Sequence, residues 1–239
     1  MFNLLKADFY KLVKGKVFWF SVLACVGIGL IHVLIPNAPA DLMGIDSGLG
    51  TLELLATNFH IQIFVAFVAI FVTVEFQLGT IKNTISRGVG RLQIYFSKFI
   101  VTAVGTVGLL LIYILIHVVL GTMRWGFNPY DMMIYEVVCL IALHALFVIA
   151  YTAFFMLIAI LFRSLAGALV TSYLYLIIMM IILPAEGRLV RYELDWIVRN
   201  HGMFESTYTN GLHANMVVLA WIVVSLVLGI VIFKRQDIK

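Results

Sequence analysis

The stretch EFQLGTIKNTISRG, from Glu75 to Gly88, is the longest polar sequence joining two membrane-length apolar runs on the basic side of the chain. Thr80 is a favourable helix N-cap, and Gly88 is a favourable residue just beyond a helix C-terminus. Ile81–Arg87 is therefore predicted to form a helix of two turns. Isolated helices shorter than about 12 to 15 residues are marginal in water. We expect this helix to pack against the lipid interface or against a partner protein.

The composition of the chain favours a bilayer as its solvent. Of 239 residues, 63% are hydrophobic and only 12% are charged, whereas soluble domains carry about 25% charged and 45 to 50% apolar residues. The net charge of +4 raises the possibility of nucleic-acid binding. That function needs basic residues clustered with exposed aromatics, and here the cations are segregated by loop. We therefore expect contact with lipid and none with nucleic acid.

Six apolar runs are each long enough to supply the roughly 20 residues of a membrane helix. The predicted fold is an all-α integral membrane protein in which residues 1–239 form a single transmembrane domain. The six spans are predicted near residues 17–35, 57–77, 99–120, 136–161, 165–183 and 213–233. A polar loop, 78–98, joins the second and third spans, and the largest loop on the other side is 184–212.

The distribution of basic residues predicts the orientation of the chain. Twelve of the 16 cations fall on one side when successive loops alternate across the membrane, and this excess marks the cytoplasmic side. An even number of spans brings both termini to that side. The twelve are Lys6, Lys11, Lys14, Lys16, Lys82, Arg87, Arg91, Lys98, Arg163, Lys234, Arg235 and Lys239.

Two segments outside the spans have helical periodicity. Within residues 1–16, Phe2, Leu5, Phe9 and Leu12 form an apolar stripe, which is typical of an amphipathic helix lying in the headgroup layer. The loop 184–212 has a similar pattern and is predicted to contain a helix on the outer surface. That helix could cap a transport path, or it could only shield the ends of the spans.

The spans offer little material for chemistry. His117 and His144 have no metal-ligating or acid–base partner three or four residues away, so each is expected to form a hydrogen bond between helices. No catalytic motif, metal-ligand spacing or phosphate-binding GxxxxGK[ST] loop is present, and no substrate-binding residue can be assigned. Any energy must then come from another protein. An intramembrane enzyme using the histidines, and a scaffold or carrier independent of nucleotide, remain alternatives.

The polar loop and both ends of the chain resemble the ABC-2-type transporter permeases. The resemblance is carried by residues 75–83 (EFQLGTIKN), by Arg87-Gly88 and Arg91, by the opening residues 3–12 (NLLKADFYKL) and by the ending 233–238 (FKRQDI). The chain length and the six-span plan also match. The resemblance therefore covers essentially the whole chain.

The resemblance implies a permease subunit that pairs with a second permease, identical or related, and with two cytoplasmic ATP-binding subunits. ATP and Mg²⁺ would be bound by those partners, so this chain needs no cofactor and is not itself an enzyme. The short helix becomes the element that couples to the ATPase. The implied coupling residues are Glu75, Gly79, Thr80, Ile81, Lys82, Asn83, Arg87, Gly88 and Arg91. Glu75 lies inside the end of a span, where a carboxylate needs a partner, and Lys82, Arg87 and Arg91 are the candidates.

Permeases of this size are similar to the membrane subunits of bacterial exporters for antimicrobial or cytolytic peptides, including self-immunity systems for lantibiotics and bacitracin-like compounds. The resemblance thus implies export of a hydrophobic or amphipathic substrate, a peptide first, across a bacterial cytoplasmic membrane. A small drug or a lipid is the alternative cargo. Self-immunity and secretion are both open.

Overall fold

The fold is all-α, as the composition predicts. A computed structural model describes residues 2–35, 41, 44–57, 59–127, 134–182 and 207–235, and every regular element in these ranges is helical. The elements, in chain order, are α1 Phe2–Lys14, α2 Lys16–Leu34, the 3₁₀ helix η1 Gly50–Thr57, α3 Phe59–Gln77, α4 Thr80–Ser86, α5 Arg91–Trp125, α6 Ile134–Phe162, α7 Leu165–Ile182 and α8 Thr207–Arg235.

Five of these helices, α2, α3, α5, α6 and α8, are long and apolar enough to cross a membrane. The shorter apolar helix α7 lies where the remaining span is predicted. Buried apolar side chains of α3, α5 and α6 form most of the core. In contrast, α2 and α8 expose many large apolar residues, among them Trp19, Phe20, Leu219 and Val227. An apolar exterior around a packed interior fits an integral membrane protein.

Two helices extend into predicted loops. α5 begins at Arg91, eight residues before the predicted start of its span, so the polar connection shortens from 78–98 to 78–90. α8 begins at Thr207 and continues through Asn210-Gly211, inside the predicted loop 184–212. A glycine inside a helix costs only about 1 kcal/mol relative to alanine, which a long helix tolerates. The outer-surface helix predicted in that loop lies outside the described residues.

One end of the bundle carries α4, and we call it the basic end. α1 is a separate amphipathic helix there, and the C-terminus of α8 reaches the same end. The cations at this end are Lys6, Lys11, Lys14, Lys16, Lys82, Arg87, Arg91, Lys98, Arg163, Lys234 and Arg235.

Residues 44–57 fold against α5 at the opposite end. The backbone N–H of Gly48 donates to the carbonyl of Gly126 at 3.0 Å, and Leu52, Leu54 and Leu55 of η1 are buried. The contact depends on small residues, because a Cβ atom on Gly121 would lie 3.2 Å from the Cα of Gly48. This segment therefore covers the outer part of α5 at short range.

Candidate coupling site at the basic end

The short helix α4 lies between two glycines in the left-handed conformation. Gly79 has a φ of 65° and Gly88 has a φ of 84°, a region that residues with a Cβ atom enter at a cost of roughly 1 to 2 kcal/mol. Gly88 follows the C-cap Arg87, as predicted from the sequence. The predicted N-cap was wrong: Gly79 occupies that position, and the Thr80 hydroxyl donates to the Glu75 carbonyl at 3.2 Å. Thr80 therefore satisfies the end of α3 rather than the start of α4.

α4 has one buried face and one polar face. Ile81 is buried in the core, and Ile85 packs against the core more loosely. Lys82, Asn83 and Arg87 have exposed side chains. The helix is thus anchored by two isoleucines, and its charged side chains are presented to the surroundings.

Glu75 belongs to a largely buried group of charges, with a half-exposed lysine at its edge, that includes no residue of α4. The Lys98 ammonium lies 2.5 Å from Glu75 Oε1 and 2.9 Å from Asp8 Oδ1, and the Lys11 ammonium lies 3.0 Å from Glu75 Oε1. The Ser97 hydroxyl donates to Asp8 Oδ2 at 2.8 Å. We call Asp8, Lys11, Glu75 and Lys98 the ion cluster, and together they join α1, α3 and α5.

The predicted partners of Glu75 were therefore wrong. Lys82 and Arg87 have exposed side chains on α4, whereas the cations that pair with Glu75 are Lys11 and Lys98. Arg91 donates to the carbonyl of Lys234 at 2.7 Å. A cation at a helix C-terminus stabilises the last carbonyls, so Arg91 connects the start of α5 to the end of α8.

The burial of Asp8, Lys98 and Glu75 makes their ion pairs important for the stability of the fold. Asp8 is 1% exposed, the Lys98 side chain 6% and the Glu75 side chain 12%. A charge this far from water is tolerated when it is paired and hydrogen-bonded. The half-exposed Lys11 is affected in two ways. Its partial burial lowers its pKa, and the neighbouring Glu75 and Asp8 carboxylates outweigh this effect, so that the pKa of Lys11 is raised.

Sequence reasoning missed Asp8, Lys11 and Lys98, although one signal was present. Asp8 lies three residues after Leu5 and four before Leu12, on the apolar face of α1. A carboxylate within an apolar stripe indicates a buried cationic partner. The identity of that partner could not be read from the sequence, since Lys98 is 90 residues away.

The intramembrane histidines lie elsewhere, toward the opposite end. The expected hydrogen bonds between helices are absent for the described residues: the Nδ1 atom of His117 bonds to the carbonyl of Tyr113 in its own helix at 2.9 Å, and His144 bonds to the backbone of Leu140. In the described part of the chain, no group of three or more His, Cys, Asp or Glu side chains converges to hold a metal ion.

Membrane-length helices around a packed core, with a charged site at one end, define a multi-pass membrane protein. A family model described as "ABC-2 family transporter protein" matches residues 4–181. The chain belongs to this family and is a membrane permease component of an ABC transporter, the class of transporter that works with ATP-binding subunits. No curated protein shows significant similarity to the chain.

Proposed function

We propose that this chain is the permease of an ATP-driven exporter and that α4 is its contact with the ATP-binding subunits. One observation carries the proposal: a short helix that is too small to be stable alone is anchored at the basic end by Ile81 and directs Lys82, Asn83 and Arg87 outward. A polar helix face of this kind, in a protein of this family, is suited to docking on the motor.

A displacement of α4 by the ATP-binding subunits would be transmitted to α3 and α5, because α4 lies between them in the chain. α4 is separated from α3 by two residues and from α5 by four, so a displacement of α4 acts on both helices. The ion cluster then ties α3 and α5 to α1. ATP and Mg²⁺ are bound by two cytoplasmic partner subunits, and a second permease, identical or related, completes the transporter.

The orientation follows from charge. The basic end carries the excess of Lys and Arg, which favours the cytoplasmic side, and the amphipathic pattern of α1 supports a position in the inner headgroup layer. Both termini are then cytoplasmic, and the membrane is the bacterial cytoplasmic membrane. This orientation puts α4 on the side where ATP is available.

The cargo is a hydrophobic or amphipathic molecule, with an antimicrobial or cytolytic peptide as the first choice. The support is the low charge of the spans: among the side chains whose burial the structure describes, the charged ones that are buried, Asp8 and Lys98, both belong to the ion cluster at the basic end. A small drug or a lipid fits the same surface and is the second choice.

Two glycines on either side of one turn provide a test with a matched control. Gly88 has a φ of 84° and Gly90 has a φ of −63°, and neither has an atom that would clash with a Cβ. Gly88→Ala should shift the C-terminal end of α4, whereas Gly90→Ala should fit. We expect the tagged chain to co-purify with an ATP-binding protein from its native membrane, and Gly88→Ala to reduce the ATPase rate of that complex several-fold.

Gly90→Ala should leave the rate close to that of the wild type. Absence of any ATP-binding protein from the purified complex would contradict the transporter assignment. An ATPase rate unchanged in Gly88→Ala, with an intact complex, would contradict the role of α4 alone.

A further inference from the structure

Four histidines and one tyrosine are gathered in the half of the bundle opposite the basic end. His32 of α2 faces His117 of α5 with ring centroids 5.6 Å apart, and the ring of Tyr113 is tilted by 35° against that of His117, with centroids 4.0 Å apart. His60 of α3 lies 5.3 Å from Tyr113 and 5.8 Å from His144 of α6. None of the five is more than 3% exposed. We call them the histidine–tyrosine cluster.

The cluster contains more hydrogen-bonding atoms than its own chain satisfies. Both ring nitrogens of His60, the Tyr113 hydroxyl and the Nε2 atoms of His117 and His144 have no hydrogen-bond partner within the described residues. Each such atom costs about 1 to 3 kcal/mol when left unsatisfied. Five of them together would cost as much as the whole stability of a typical domain, about 5 to 15 kcal/mol. A folded protein needs a guest that satisfies them.

The chemistry of the cluster defines the guest. A neutral imidazole has one donor and one acceptor, and a tyrosine hydroxyl can act as either, so the guest must both donate and accept. A metal ion only accepts lone pairs and needs more converging ligands than the described residues supply. The nearby charges do not require an ion, since Arg124 pairs with Asp41 at 2.9 Å. The guest is therefore small, neutral and amphoteric.

We propose that the histidine–tyrosine cluster is a binding site for internal water. The ring of His60 lies with its centroid 5.3 Å from that of Tyr113 and 5.8 Å from that of His144, yet their free polar atoms make no hydrogen bond to one another. Polar groups that lie this close without a direct bond can be joined by one bridging water. Buried waters typically make about three hydrogen bonds to groups that are otherwise unsatisfied. Water between His60, Tyr113 and His144 links α3, α5 and α6, which share no direct side-chain hydrogen bond among the described residues of this cluster.

Water-edited solid-state NMR on the full-length chain in lipid tests the site directly. With histidine, valine and phenylalanine labelled with ¹⁵N, magnetisation should pass from water to the imidazoles of His60 and His144 early in the build-up, and His60→Phe and His144→Phe assign the two signals. The backbone amides of Val65 and Phe67, which are fully buried in the same helix as His60, serve as the dry reference. Imidazole signals that build up no faster than these amides would overturn the proposal.

Thermal unfolding of two His60 variants gives an independent result. If water fills the site, His60→Phe removes its His60 partner atoms, leaves Tyr113 and His144 less well satisfied, and should lower the Tm by about 2 to 8 °C. His60→Gln, which keeps a donor and an acceptor, should lower it less. If the site is dry, His60→Phe removes two unsatisfied atoms and should raise the Tm. A Tm above that of the wild type for His60→Phe would contradict the water site.

Discussion

The ion cluster and the histidine–tyrosine cluster are both buried polar groups on α3 and α5, yet they are satisfied in opposite ways. In the ion cluster, Lys98 contacts two carboxylates and Ser97 donates to one of them. In the histidine–tyrosine cluster, five polar atoms have no partner within the described residues. Charges are too costly to bury without direct partners, whereas neutral rings can be satisfied by an exchangeable guest. The ion cluster thus joins its helices through direct contacts, whereas the helices of the histidine–tyrosine cluster are joined through a guest that can exchange.

The largest effect on stability is expected from removing Lys98, the cation that lies between the two carboxylates of the ion cluster. Lys98→Met leaves Asp8 and Glu75 with only the half-exposed Lys11 as a cationic partner, and losing the buried member of such a group costs up to about 3 to 5 kcal/mol. We expect a large drop in Tm and in the yield of folded protein, measured by fluorescence-detected size exclusion after heating. Lys82→Met removes an exposed cation from the neighbouring α4 and is the control. Equal Tm values for Lys98→Met and Lys82→Met would contradict a stabilising role of the ion cluster.

The packing of η1 on α5 provides the corresponding test at the opposite end. A Cβ atom on Gly121 would collide with Thr51 and Gly48, whereas one on Gly108 of the same helix meets nothing within 4 Å. Gly121→Ala should therefore destabilise the protein by about 1 to 3 kcal/mol, and Gly108→Ala should stabilise α5 slightly or leave it unchanged. Thermal unfolding in detergent checks both. Unchanged stability in Gly121→Ala would show that the end opposite the charges tolerates rearrangement.

The smallest expected effect concerns Lys11 at the exposed edge of the ion cluster. Its pKa in the folded protein is raised from the usual value of 10.5, so its pairing stabilises the fold fully below that pH and is lost as the pH rises through the raised pKa. The Tm of the wild type should decline above about pH 10.5 by slightly more than that of Lys11→Met. Because the Lys11 side chain is 47% exposed, solvent reduces the difference. An identical dependence of the Tm on pH in the wild type and in Lys11→Met would show that the pairing of Lys11 does not stabilise the fold.

The sequence was informative where structure depends on neighbours along the chain. Hydropathy predicted an all-α membrane protein, and local turn chemistry predicted a short helix ending before Gly88. It was wrong about Thr80, because a left-handed glycine was already available to end α3. It missed the partners of Glu75, because Lys11 and Lys98 are 64 and 23 residues away and meet Glu75 only after the helices pack. Pairings of this kind depend on rotation and tilt of helices, which apolar spans do not encode locally.

The unbroken length of α5 has a mechanical consequence for both clusters. Its 35 residues make a rod of about 52 Å, with Lys98 near one end and His117 about 28 Å further along the axis. A long helix of this kind bends only gently, so a tilt of α5 would move its two ends as parts of one rigid rod. Rocking by about 10° about its midpoint displaces each tip by about 4.5 Å in opposite directions. A tilt of α5 about its midpoint would therefore move its Arg91 end and the region of His117 in opposite directions.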